Sequence, residues 1–208
     1  MPTKLMGYDA NRDDGNMDGR LSIPAELISD TLFNNDIAFK IGSKVDEEKN
    51  ALTCKGQEIQ LPEGRYNSIY ILAAATKETV GNFVVGGKEV ALPVQYWSGY
   101  IGQHYNREFE QDDVTVKSIK SPYVKKDNIA WFSSHRHYAY PSKNKTYEYS
   151  YIFKYRIDLP ENVNSIKLPE NKFIRIFAIT AVKEDFSQTK SLQPLYDDFS
   201  DAKKVELR

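Results

Sequence analysis

Only one cysteine, Cys54, occurs in the 208 residues, so no disulfide can form within the chain. That excludes a disulfide framework but does not fix the compartment. Histidine is almost as scarce, with His104, His135 and His137 alone. The longest wholly apolar run is Ile69–Ala75, "IYILAAA", far short of the roughly 20 residues a spanning helix needs. The start, "MPTKLMGYDANRDD", carries no apolar stretch of the kind a secretory signal requires. Neither sign of charge dominates: 28 basic and 29 acidic residues give a net charge of -1. The basic clusters are short, Lys125-Lys126 and Lys203-Lys204, with acids nearby. No nucleic-acid partner and no membrane are expected on that pattern. Missing too are Gly-x-Ser-x-Gly, a P-loop and Gly-x-Gly-x-x-Gly. No carboxylate spacing points to glycoside hydrolysis, whose partners meet only in space.

What is present is aromatic and strand-like. Aromatic residues make up 12% of the chain, with 14 Tyr and 10 Phe, and such side chains favour strands and polar binding faces. Thr146–Leu159, "TYEYSYIFKYRIDL", places Tyr147, Tyr149, Tyr151, Phe153, Tyr155 and Ile157 at every second position. That period predicts a strand with one aromatic and one polar face. "SIYILAAAT" (68–76) reads as a strand buried on both faces. Gly86-Gly87 between apolar runs predicts a two-residue hairpin turn. Turn signals "LPEG", "DLPEN" and "KLPEN" punctuate the rest. The one helical signal, "PAELISDTLF" (24–33), predicts a single turn with Pro at its first position. About ten strands with very little helix predict an all-β fold, a β-sandwich of jelly-roll type. The expected organisation is an N-terminal extension over 1–7, one sandwich over 8–185, and a tail or terminal strand over 186–208.

Three constellations carry candidate chemistry. His135 and His137 stand at His-x-His spacing in "WFSSHRHYAY", and on a strand both imidazoles point to one face. Cupin-type jelly-roll metalloenzymes follow such a pair with a Glu and a later His. Glu148 sits at a plausible distance, but no histidine follows His137. Arg136, between the two, is expected to donate to a ligand hydroxyl or to pair with a buried acid such as Glu26. Second, "YDANRDDGNMDG" offers Asp9, Asn11, Asp13 and Asp18 as oxygen ligands for a structural Ca²⁺. The EF-hand form fails, because positions six and twelve from Asp9 are Asp14 and Arg20; the alternative is an Asx-turn loop. Third, "VQYWSGYIGQHY" gathers Tyr96, Trp97, Tyr100 and His104. With Trp131, His135, Arg136 and His137 these form a candidate carbohydrate-binding set, aromatic faces for sugar C–H groups and polar groups for hydroxyls. Cys54, on an expected strand, reads as a small core residue.

Several blocks stand in one order: "GNMDGRLSIPAELI" (15–28), "NALTCKGQEIQLPEGRYNSIYILAAAT" (50–76), "VQYWSGYIGQ" (94–103), "KKDNIAWFSSHRH" (125–137) and "YSYIFKYRIDLPENVNSIKLPENKFIRIFAIT" (149–180). The set resembles the C-terminal β-sandwich region of bacterial α-mannosidase-like proteins of glycoside hydrolase family 38, a galactose-binding-like accessory domain. That family's zinc and nucleophile belong to a barrel of which no part is present. The resemblance therefore implies a non-catalytic module, binding a glycan weakly (mannose-containing by implication) or packing as a scaffold on the catalytic domain of a parent enzyme. Such a parent would fit export to the periplasm or cell surface. The reading from another class is a jelly-roll metalloenzyme using His135 and His137.

Overall fold

The computed structural model describes residues 4–5, 7–13, 15–99, 107–112, 114–120, 127–139, 142–184 and 204–206. Among the described residues, strands follow one another with one 3₁₀ turn between. The first part of the chain forms β1 (Lys4–Leu5), β2 (Tyr8–Asp9), β3 (Leu21–Pro24), the turn Ala25–Leu27, β4 (Thr31–Asn34), β5 (Ile37–Lys40), β6 (Ala51–Thr53) and β7 (Glu58–Gln60). Then come β8 (Ser68–Ala75), β9 (Thr79–Val85), β10 (Lys88–Val94), β11 (Ser98–Gly99), β12 (Arg107–Phe109) and β13 (Val116–Lys120). The last are β14 (Ile129–Ala139), β15 (Ser142–Asp158), β16 (Ser165–Lys167), β17 (Ile174–Val182) and β18 (Lys204–Glu206).

The principal sheet runs β1-β6-β17-β8-β15-β14-β3-β2, with β11 joined to β15. A smaller sheet, β10-β9-β16-β7, forms the second layer. Its buried side chains, Phe83, Val85, Leu92, Val94 and Ile166, share one apolar core with Ile69, Ile71, Tyr151, Phe153, Tyr155 and Ile174 of the principal sheet. The layers approach closely at Gly81, where an added Cβ would lie 2.5 Å from Ile174 Cδ1. Each large apolar side chain so enclosed contributes about 1.5–3 kcal/mol. The architecture is a β-sandwich, as the strand-rich pattern predicts.

Particular elements agree or differ for physical reasons. Gly86 and Gly87 adopt φ of 56° and 78° and close the β9–β10 hairpin, a conformation that side-chain-bearing residues resist. β8 is buried along nearly its whole length, as an uninterrupted apolar run requires. The turn after Pro24 is a single 3₁₀ turn. Among the described residues eighteen strands stand where about ten are expected, because short two- and three-residue pairings carry too little pattern to be seen in sequence. Of the stretch 1–7, Lys4, Leu5 and Gly7 are among the described residues. Lys4 and Leu5 pair with Leu52 and Ala51 and form the sheet edge. At the other terminus, Lys204–Glu206 pairs with Ser118–Lys120.

The two-faced reading of β15 needs correction at its centre. Tyr151, Ile152, Phe153, Lys154 and Tyr155 are all buried, so the face predicted to be polar is covered as well. The cover comes in part from the β4–β5 hairpin. Thr180 Oγ1 donates to Ala38 O at 2.8 Å, and Lys154 Nζ donates to Asn34 O at 3.5 Å. Lys154 is 4% exposed. Burial lowers its pKa, with the Glu184 charge opposing. The unfolded chain therefore keeps a proton that the folded chain releases earlier, and stability rises with pH from the folded value up to about 10.4. Below the folded value the buried ammonium costs stability. Lys154→Met is expected to unfold at a higher temperature than the native chain near neutral pH, with the difference narrowing as pH approaches about 10. Equal midpoints across that range would show the ammonium to be fully compensated.

Candidate functional site

β14 lies between β15 and β3, with His137 opposite Ser22 and His135 opposite Thr146. The register shifts between Ser133 and His135, where β15 turns to pair with β11. His135 and His137 share a face, as the spacing predicts, with ring centroids 5.6 Å apart. That face points inward: His137 is wholly buried, and the His135 side chain is only 14% exposed.

His137 is held from both sides. Its Nδ1 lies 2.6 Å from Asp9 O, and its Nε2 lies 2.9 Å from Glu26 Oε1. A carbonyl only accepts, so Nδ1 carries a proton and donates it to Asp9. Nε2 then meets the carboxylate through a second proton or through a shared cation. Glu26 reaches this point because the 3₁₀ turn follows β3 directly and Pro24 pairs in parallel with Asp9. His135 Nε2 is buried without a hydrogen-bond partner and lies 4.0 Å from the same Glu26 Oε1. Burial, the His137 ring and the Arg12 guanidinium lower the His135 pKa, with Glu26 opposing. That lowering favours the neutral ring, the form with a lone pair to offer a ligand. One ligand atom from each of Glu26, His135 and His137 falls within a 4.8 Å cluster.

The loop before β3 closes over this group. Asp9 Oδ1 accepts from Asn11 N at 2.8 Å, and its Oδ2 accepts from Gly15 N at 3.3 Å. Glycine is required at 15, since a Cβ there would meet Ser22 Oγ at 2.2 Å. Asn50 anchors the strand that presents the Asp9 carbonyl: Oδ1 accepts from Gly7 N at 2.8 Å and Tyr8 N at 3.4 Å, and Nδ2 donates to Tyr8 O at 2.9 Å. Arg12, at φ 71°, donates from Nε to Asn144 Oδ1 at 2.6 Å and from its guanidinium to Glu26 Oε1 at 3.4 Å.

On the opposite face of β14, Arg136 forms an ion pair with Glu148 and donates to Ser98 Oγ at 3.3 Å and Tyr96 OH at 3.4 Å. Its guanidinium lies 5.7 Å from the Trp97 ring. Burial raises the Tyr96 pKa, with Arg136 opposing. Three expectations change here. Glu148 belongs to Arg136 and Lys145 and not to the histidines, because the departure of β15 from β14 carries it to the other side. Glu26 pairs with His137 and Arg12 in place of Arg136. Trp97 is wholly buried, so its ring offers no face to a sugar, and Trp131 is half-buried against the core. Tyr100 and His104 lie outside the described residues.

The acidic loop is an Asx-type turn around Asp9, which is 5% exposed. Oxygens of Asp13 and Asp46 approach Asp9. Asp18 is not in that group, and Asp46 arrives from the loop between β5 and β6. Asn11 contributes its backbone amide to Asp9 and is exposed. No sequence signal marks Arg12 or Asn144 as neighbours of the histidine cluster, Asn50 as the partner of Gly7 and Tyr8, or Asp46 as a neighbour of Asp9. Glu26 is legible only as an acid near a turn.

Residues 2–185 match the family model for the AziU2-like β-sandwich domain, and the chain belongs to that family. No curated protein matches it.

Asn50→Ala leaves two backbone amides and a carbonyl without their partner. It is expected to lower unfolding free energy by about 1–3 kcal/mol. In urea the midpoint should fall with an unchanged slope. An unaltered midpoint would mean that water replaces the side chain and that Asn50 does not anchor the Asp9 segment.

Proposed function

We propose that the domain binds a divalent transition ion of the zinc class between His135, His137 and Glu26. The observation that carries this reading is the convergence of three such groups, two inward-facing imidazoles and the Glu26 carboxylate, with His135 Nε2 left without a hydrogen bond. Two imidazoles and a carboxylate suit Zn²⁺, with ligand atoms about 2.0–2.2 Å from the ion and so roughly 3.4 Å from one another in a tetrahedron. The two separations to Glu26 Oε1, 2.9 Å and 4.0 Å, straddle that value. The Asp9 carbonyl on His137 Nδ1 supplies the outer-shell hydrogen bond that orients a ligating imidazole and leaves Nε2 facing the ion. Three protein ligands leave a fourth position for water or a ligand.

Titration of the metal-free full chain with Zn²⁺ or Co²⁺ tests this. One equivalent is expected to bind. At an ion concentration 100 times Kd it should add about 2.7 kcal/mol to unfolding free energy. His135→Ala and Glu26→Gln should each weaken binding by more than the roughly 10–100-fold that an outer-shell partner costs. Both residues are less buried than His137, so these variants retain the fold more readily. Absence of uptake with excess ion, or uptake that survives both substitutions, rejects the reading.

A second reading is the accessory module suggested by the ordered blocks, binding a mannose-containing glycan. Phe132, 58% exposed beside half-buried Trp131, favours it by leaving an aromatic edge in solvent. Such a module would show a Kd on the order of micromolar to millimolar for a mannoside, and Phe132→Ala would weaken it. A calorimetric titration without heat at millimolar mannoside removes this reading and leaves the metal reading untouched.

A further inference from the structure

Exposure at the histidine cluster is graded. His137 is wholly buried and the His135 side chain 14% exposed, whereas the Arg12 and Glu26 side chains are 29% and 38% exposed. The imidazoles form the floor; Glu26 and Arg12 form the rim. An ion held by the three ligands would therefore turn its remaining position toward the rim, where Arg12 stands. Arg12 is set there by the fold: its backbone is in the left-handed region, and its side chain is tethered to Asn144 Oδ1 and to Ala10 O at 3.3 Å. Its contact with Glu26 is long, at 3.4 Å, and involves a single carboxylate oxygen. A carboxylate matched to the guanidinium fork normally makes two shorter bonds.

Charge points the same way. A divalent ion beside one carboxylate and one guanidinium leaves the site positive. The Asp9 carboxylate is turned to the amides of Asn11 and Gly15. An anion carrying two or more oxygens satisfies both cations, one oxygen on the ion and another on the guanidinium. Before the ion arrives, the same guanidinium partly neutralises Glu26 and so opposes metal entry.

Resting on the metal reading above, we infer that Arg12 is the recognition group for a small oxyanion, a carboxylate or a phosphate, bound at the open position of the ion held by Glu26, His135 and His137. The guanidinium releases Glu26 to the ion and turns its donors to the incoming oxygens. One anion oxygen would take the coordination position that water holds, the water leaving to solvent, and no bond within the anion changes.

The test uses the full chain loaded with Co²⁺, whose visible spectrum reports its ligands. Acetate and inorganic phosphate are titrated separately, so that the two arms distinguish the sources of the oxyanion. The native protein is expected to show a saturable spectral change with at least one of them, and the metal-free chain no binding of either. Arg12→Ala should weaken oxyanion binding by about 10–100-fold, the loss of a charge-assisted pair, while tightening Co²⁺ binding by removal of the competing cation. Arg12→Lys, which keeps the charge but loses the fork, should fall between. Failure of Co²⁺ to bind overturns the metal reading and this inference together. Stoichiometric Co²⁺ with no spectral response to either anion overturns this inference alone, as does a response that Arg12→Ala leaves unchanged.

Discussion

A wholly buried imidazole has no water to turn to, and His137 obliges the protein around it to supply two partners. The ring costs stability unless both nitrogens are met. Asp9 meets one through its backbone carbonyl, and Glu26 meets the other through its side chain. Neither partner is free to drift. The Asp9 carbonyl is held in place by Asn50, which bonds the preceding residues Gly7 and Tyr8, and by the Asp9 carboxylate, which accepts from Gly15 N. Glu26 is fixed by the abrupt turn after β3. Two strands, a turn and a loop are thus tied through one side chain. The close contact between Gly15 and Ser22 shows how little room the arrangement leaves.

The two faces of β14 separate two chemistries. One carries the imidazoles to Glu26; the other carries Arg136 to Glu148, Tyr96 and Ser98, above the buried Trp97 ring. Alternation along a strand makes that separation unavoidable, since neighbours point to opposite faces. The register shift beside His135 lets β15 diverge to β11 and carry Glu148 with it. A carboxylate that sequence distance would assign to the histidines is committed elsewhere, and Glu26, more than a hundred residues away along the chain, takes the place.

Elements with long or repeated patterns were legible: β8 as a buried strand, the Gly86-Gly87 hairpin, the alternation of β15, and the shared face of His135 and His137. Short pairings were not. β1 and β11 have two residues each, and no periodicity exists over that length. The second face of β15 is covered at its centre although the sequence alternates, because alternation reports which residues differ, while the β4–β5 hairpin decides whether that face meets water. Trp97 looked like a stacking residue because polar and glycine residues surround it in sequence. In space it faces the core.

By itself the sequence determined the β-sandwich class and the pairing of two imidazoles on one face. Both follow from a period-two rule that is local to the strand. Only the tertiary structure decided what the imidazoles meet. The residues that meet the cluster come from Asp9–Arg12, Glu26 and Asn144, with Asn50 bracing the strand before Asp9, and no spacing along the chain relates them. Strand order and the close approach of a loop set those neighbours. They depend on how the sheet is assembled and not on any pattern within a single strand.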